Sequence, residues 1–89
     1  MLLCSHFKEK FGLSKDEEAY AVMSDGWRWN GWLYVYDKKG DLVYNSFVTG
    51  LMWDAVEHIQ DCNEYSKRDK RWAKRLLKEL QEEWEQVMS

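Results

Sequence analysis

The hydrophobic pattern of the chain switches period twice. Over residues 2–11, Leu3, Phe7 and Phe11 recur every fourth position, one stripe of a short amphipathic helix. Gly12 follows where a C-terminal cap belongs. Ser14-Lys15-Asp16-Glu17 has the form of a capping box and predicts one helical turn at 14–18 before a strand begins near Ala19. From there the period is two. Trp27-Arg28-Trp29 and Trp32-Leu33-Tyr34-Val35-Tyr36 flank Asn30-Gly31, a dipeptide suited to the two positive φ angles of a type I′ hairpin. Asp37-Lys38-Lys39-Gly40 reads as a second tight turn with Gly40 left-handed, and Leu42-Val43-Tyr44-Asn45-Ser46-Phe47-Val48 as a further strand. The expectation is an antiparallel three-stranded meander across 19–48.

After Thr49-Gly50 the period returns to that of a helix. Met52, Ala55, Ile59 and Cys62 mark a buried face, widened by Val56. Asp54, Glu57, Asp61 and Glu64 form an acidic stripe on another face. Ser66, with Asp69 three residues on, starts a last helix. Its apolar seam runs Ala73, Leu77, Leu80, Trp84 and Val87, with Trp72 and Leu76 beside it. Two heptads are short for a coiled coil, so the seam is expected on the chain's own sheet, with a helix-mediated homodimer as the alternative. The fold class is therefore α+β in a single domain, 1–89: a short N-terminal helix, a three-stranded meander, and two C-terminal helices packed on one sheet face.

Alternation along the expected hairpin sorts its side chains. Trp29 faces Trp32, Trp27 faces Tyr34, and Trp27, Trp29, Trp32, Tyr34 and Tyr36 share one face. Arg28, Leu33 and Val35 take the other, the natural seat for the helices. Composition sharpens this. Of 89 residues, 16% are aromatic, with six Trp, five Tyr and three Phe. A chain this small buries roughly 60–65% of its unfolded surface, too little to hide fourteen rings comfortably. The aromatic face is expected either to be covered by the chain's own helices or to bind a protein, bases or a carbohydrate.

Charge adds a second feature. The net formal charge is −3, so bulk charge does not make the chain a polyanion binder. Locally the balance inverts. Lys67, Arg68, Lys70, Arg71, Lys74, Arg75 and Lys78 stand against the single acid Asp69, while Glu79, Glu82, Glu83 and Glu85 follow with no base. This order opposes the helix dipole. It is expected to be relieved by the stripe from Asp54 to Glu64 folding beside the basic turn. Otherwise the six bases from Lys67 to Arg75 make a phosphate or acidic-partner contact.

Catalytic and metal chemistry find little support. No glycine-rich phosphate loop, nucleophile elbow or His-Glu-x-x-His pattern occurs, so no enzyme is expected. The soft ligands are Cys4, His6, His58 and Cys62. His58 and Cys62 suit a shared helix face, but Cys4 and His6, two apart on a helix, would point in nearly opposite directions. No metal site or cofactor is expected, and the two cysteines mark no secreted disulfide framework. The start of the chain lacks a signal-peptide pattern, and a cytoplasmic location is the default.

In element order α-β-β-β-α-α, size and acidity the chain resembles several phage or mobile-element inhibitors, some anti-CRISPR proteins among them. No motif carries that resemblance and no site residue transfers with it. The functional expectation is a small non-enzymatic protein-binding module, an inhibitor or adaptor. Its binding residues would be Trp27, Trp29, Trp32, Tyr34 and Tyr36, with Asp54, Glu57 and Asp61 setting orientation. The partner is a protein or nucleoprotein complex. A single-stranded nucleic-acid binder, stacking bases on the rings and holding phosphates with residues 67–78, is the alternative; a structural homodimer is the third reading.

Overall fold

The computed structural model describes residues 1–89 and shows the expected mixed α+β fold. Its elements are α1 (Ser5–Lys10), β1 (Glu18–Met23), β2 (Gly31–Tyr36), β3 (Leu42–Val48), α2 (Leu51–Asp61) and α3 (Lys67–Met88). The strands form one antiparallel sheet in the order β1-β2-β3. Ala19 and Ala21 of β1 and Leu33 and Val35 of β2 point inward, all essentially inaccessible to solvent. Leu51, Met52, Ala55, Val56 and Ile59 of α2 close over them, and Ala73, Leu76 and Leu80 of α3 complete the same core. Phe7 brings α1 into this cluster, so all three helices share the inner side of the sheet.

The first half of the meander differs from the sequence reading. β1 ends at Met23, and residues 24–30 form a loop rather than a strand running to a hairpin. Neither Asn30 nor Gly31 has a positive φ, so no type I′ turn exists there. The cause is the start of α2. Its first amides need acceptors, and the Trp29 carbonyl accepts from the N–H groups of Met52 at 3.0 Å and Trp53 at 3.4 Å. Asn30 Oδ1 accepts from the Gly50 N–H at 2.8 Å. Asn30 is the one buried polar residue, and this bond satisfies its oxygen. A hairpin would turn these acceptors away from α2. By contrast Gly40 is left-handed as expected, with φ 88°, and its N–H donates to Asp37 O at 3.0 Å.

Two further boundaries move. The N-terminal helix starts at Ser5, not residue 2. Residues 1–3 lie along β1 instead, with Leu3 N–H donating to Ala19 O and Ala21 N–H to Met1 O, both at 2.8 Å. The last helix buries Leu76 rather than Leu77 beside Ala73 and Leu80, while Trp84 and Val87 stay exposed. The expected seam stops where the inner layer stops.

Ser66 caps α3: its Oγ accepts from Asp69 N–H at 3.1 Å. Ser66→Ala is expected to cost about 1 kcal/mol, read as a lowered urea midpoint with an unchanged denaturant slope. An unchanged midpoint would mean the cap contributes nothing.

Candidate functional site

The strand registers assemble the outer face of the sheet. Val22 pairs with Trp32 and Trp32 with Phe47; Tyr20 pairs with Tyr34 and Tyr34 with Asn45; Glu18 pairs with Tyr36. Paired residues share a face, so Tyr20, Val22, Trp32, Tyr34, Tyr36 and Phe47 make one continuous surface. Trp32 and Phe47 meet edge to face at 5.4 Å between centroids, and Tyr20 and Tyr36 at 5.8 Å. Both fall in the favourable range for T-shaped pairs. No helix covers these rings: Val22, Trp32 and Phe47 are 45%, 39% and 48% exposed. The shortest dimension of the molecule, 18 Å, is about one sheet and one helix thick. A shallow depression of about 640 Å³ lies across Tyr20, Val22, Tyr34 and Tyr36. At its rim Tyr20 Oη donates to Glu18 Oε2 at 3.0 Å, and that carboxylate raises the tyrosine's pKa.

This face runs into an open edge. β1 is flanked by residues 1–3, whereas β3 has no strand beyond it. Leu42–Val48 contains no charge and no proline, and Leu42, Val43, Tyr44 and Phe47 are all exposed. Val43 lies where the register slips opposite the junction of Val35 and Tyr36. The core reaches β3 only at Val48, so Tyr44 is exposed although it shares the inner side with Val35. Long apolar edges of this kind are normally blunted by lysine, proline, a bulge or a covering element; β3 has only the register slip at Val43.

The structure keeps Trp32, Tyr34 and Tyr36 of the expected binding set together and adds Tyr20, Val22 and Phe47. It removes Trp27 and Trp29, which lie in the 24–30 loop. Trp29 is buried, stacked on Trp27 at 5.2 Å and packed edge-on against Trp84 at 5.0 Å. Arg28 does not join the inner face of the sheet; it binds Glu83 at 3.2 Å and Glu79 at 3.6 Å across α3. These half-exposed pairs contribute about 0–1 kcal/mol each.

Asp54, Glu57 and Asp61 are exposed on α2, away from its buried face. Glu57 accepts a hydrogen bond from the Trp53 indole. They form no ion pair with Lys67, Arg68, Lys70, Arg71, Lys74, Arg75 or Lys78, so the expected relief of the basic turn is not made. Those bases line the back of α3, opposite Ala73, Leu76 and Leu80. They are therefore on the helical side of the molecule, and the aromatic face is on the other.

A second cluster brings together three of the soft ligands that the sequence reading set aside, and adds Glu64 to them. Cys4, His6, Cys62 and Glu64 each place a ligand atom within 4.8 Å of the others, and His58 Nε2 lies 3.0 Å from Cys4 Sγ. Cys4 has φ −76° and ψ 170° and precedes α1, so the opposed helical directions assumed for Cys4 and His6 do not apply. Burial pushes the Cys62 thiol pKa up, and burial lowers that of His58, helped by Lys10 and His6. The Ser5 hydroxyl, donating to Glu64 Oε2 at 2.6 Å, leads in holding that carboxyl below its usual range.

No protein-family model, curated protein or solved structure matches this chain. No helix is long and apolar enough to cross a membrane.

Proposed function

We propose that this chain is a non-enzymatic protein-binding module, a stoichiometric inhibitor or adaptor, whose partner adds an extended segment to β3 and covers the aromatic outer face. The observation that carries this reading is the continuity of the uncovered Trp32–Phe47 surface with the uncharged, unflanked β3 edge. An added strand would satisfy the free backbone groups of β3, and alternate side chains of that strand would meet the rings. Tyr and Trp suit such anchors because they combine large apolar area with a polar tip.

A second copy fits less well. Edge-to-edge pairing of two β3 strands would build a longer sheet with its aromatic face still bare. Face-to-face packing would leave both β3 edges open. A partner of different shape can cover both features at once. The nucleic-acid reading needs several stacking rings beside the phosphate contacts, and here the sheet rings lie on the side away from the bases of α3, which have only Trp72 exposed among them.

Phe47→Asp tests the proposal because it places a charge at the junction of edge and face. Phe47 is half exposed, so the expected stability change is about 1 kcal/mol or less. The purified wild type is expected to be a monomer in solution and to retain a protein partner whose binding protects the β3 amides from hydrogen exchange. Phe47→Asp is expected to abolish retention, while Arg71→Ala leaves it intact. Retention unaffected by Phe47→Asp, or protection confined to α3, would overturn the proposal. So would quenching of Trp fluorescence by oligonucleotide with no protein partner.

A further inference from the structure

We infer that Cys4, His6, Cys62 and Glu64 form a binding site for a divalent cation of the zinc class. The site is independent of the sheet face and rests on different residues. Tetrahedral coordination by sulfur, nitrogen and oxygen at zinc bond lengths sets ligand atoms about 3.3–3.8 Å apart. Here Cys4 Sγ and Cys62 Sγ are 3.3 Å apart, His6 Nδ1 and Glu64 Oε2 3.1 Å, and Cys62 Sγ and Glu64 Oε2 4.0 Å. All four atoms lie within 4.8 Å of one another, so closing them to a coordination shell takes shifts of about 1 Å.

Surrounding groups hold them in place. His58 Nε2, 3.0 Å from Cys4 Sγ, can donate to a thiolate there. Tyr65 Oη accepts from Cys4 N–H at 2.7 Å and donates to Leu2 O at 3.0 Å, fixing the backbone that carries the first sulfur. Ser5 Oγ donates to Glu64 Oε2 at 2.6 Å and orients the carboxylate. Such outer contacts are typical supports of metal ligands. Access comes from two sides: the thiols are buried, His6 and Glu64 are solvent-facing, and a cavity of about 660 Å³ opens beside Cys4, Ser5, Glu64 and Tyr65.

The donor set decides the class of ion. Two sulfurs and an imidazole favour a borderline-soft cation and disfavour magnesium or calcium, which prefer all-oxygen shells. Binding replaces two S–H bonds with two metal–sulfur bonds, and both protons pass to the buffer. No redox step is involved.

The test is Co²⁺ titration of the reduced, chelator-stripped full chain, followed by displacement with Zn²⁺. One ion per chain is expected, with thiolate-to-cobalt charge transfer and the intense visible bands of tetrahedral cobalt. Zn²⁺ is expected to raise Tm, and Mg²⁺ to leave it unchanged. Cys62→Ser and His6→Ala are expected to lose at least about tenfold in affinity, and His58→Ala to keep tetrahedral coordination with both sulfurs. Because Cys62 is buried, far-UV circular dichroism checks that the serine variant folds, and the exposed His6→Ala and Glu64→Gln serve if it does not. Weak octahedral spectra without charge transfer would overturn the assignment. So would undiminished binding by His6→Ala, or a Cys4–Cys62 disulfide that persists under reduction and takes up no ion.

Discussion

Phe7→Ala is expected to remove about 3–5 kcal/mol of folding stability. Phe7 is 1% exposed. Its ring meets Phe11 edge-on at 5.4 Å and His58 at 5.0 Å, which makes it the main apolar link between α1 and α2. Alanine would forfeit the transfer energy of the ring and leave a cavity that a six-residue helix is poorly placed to fill. A domain of this length holds about 4–13 kcal/mol in total, so the variant sits near the folding threshold. Tm is expected to fall by roughly 15–30 °C. Urea titration followed by Trp fluorescence measures the loss; a change under about 1 kcal/mol would mean that α1 is not part of the cooperative core.

Gly31→Ala is expected to destabilise by about 1–3 kcal/mol, and its sign is as informative as its size. Gly31 does not use a left-handed backbone; it is needed for space. A Cβ at this position would stand 2.7 Å from the Val22 carbonyl oxygen, 3.2 Å from Met52 Cγ and 3.4 Å from Leu51 Cδ2. The side chains can give a little. The carbonyl belongs to β1 and moves only if the strand moves. Where no clash exists, Gly to Ala commonly stabilises by about 0.4–1 kcal/mol through the unfolded chain. A more stable Gly31→Ala would therefore refute the close approach of β1 and α2 at this glycine.

These two positions show what local patterns carry and where they stop. The parity of Trp32 to Tyr36 is legible because alternation is a local property, and burial of Leu33 and Val35 follows from it. The helices are legible for the same reason: Met52, Ala55 and Ile59 recur at the right spacing whatever lies opposite. Asn30-Gly31 misleads because its local turn preference competes with a distant demand, the acceptors required by the first turn of α2. Phe47 and Val22 join the aromatic surface only through strand register, which no single segment reveals. The thiols meet across 58 residues, and only because both lie at helix ends with extended backbone rather than within helices. The charge reversal along α3 is legible in sequence, but its actual partner, Arg28 in the Trp loop, is not.

The unequal edges of the sheet set a valence. A sheet open on both sides can grow head to tail without limit, because each addition presents a fresh edge. Here residues 1–3 occupy the margin of β1, and Leu42–Val48 is the sole open margin. Two copies meeting through that margin would close as a symmetric pair and stop, because the far side of each sheet is already flanked. On the proposed reading, the exposed apolar edge would admit one such contact per chain and build no filament through self-pairing.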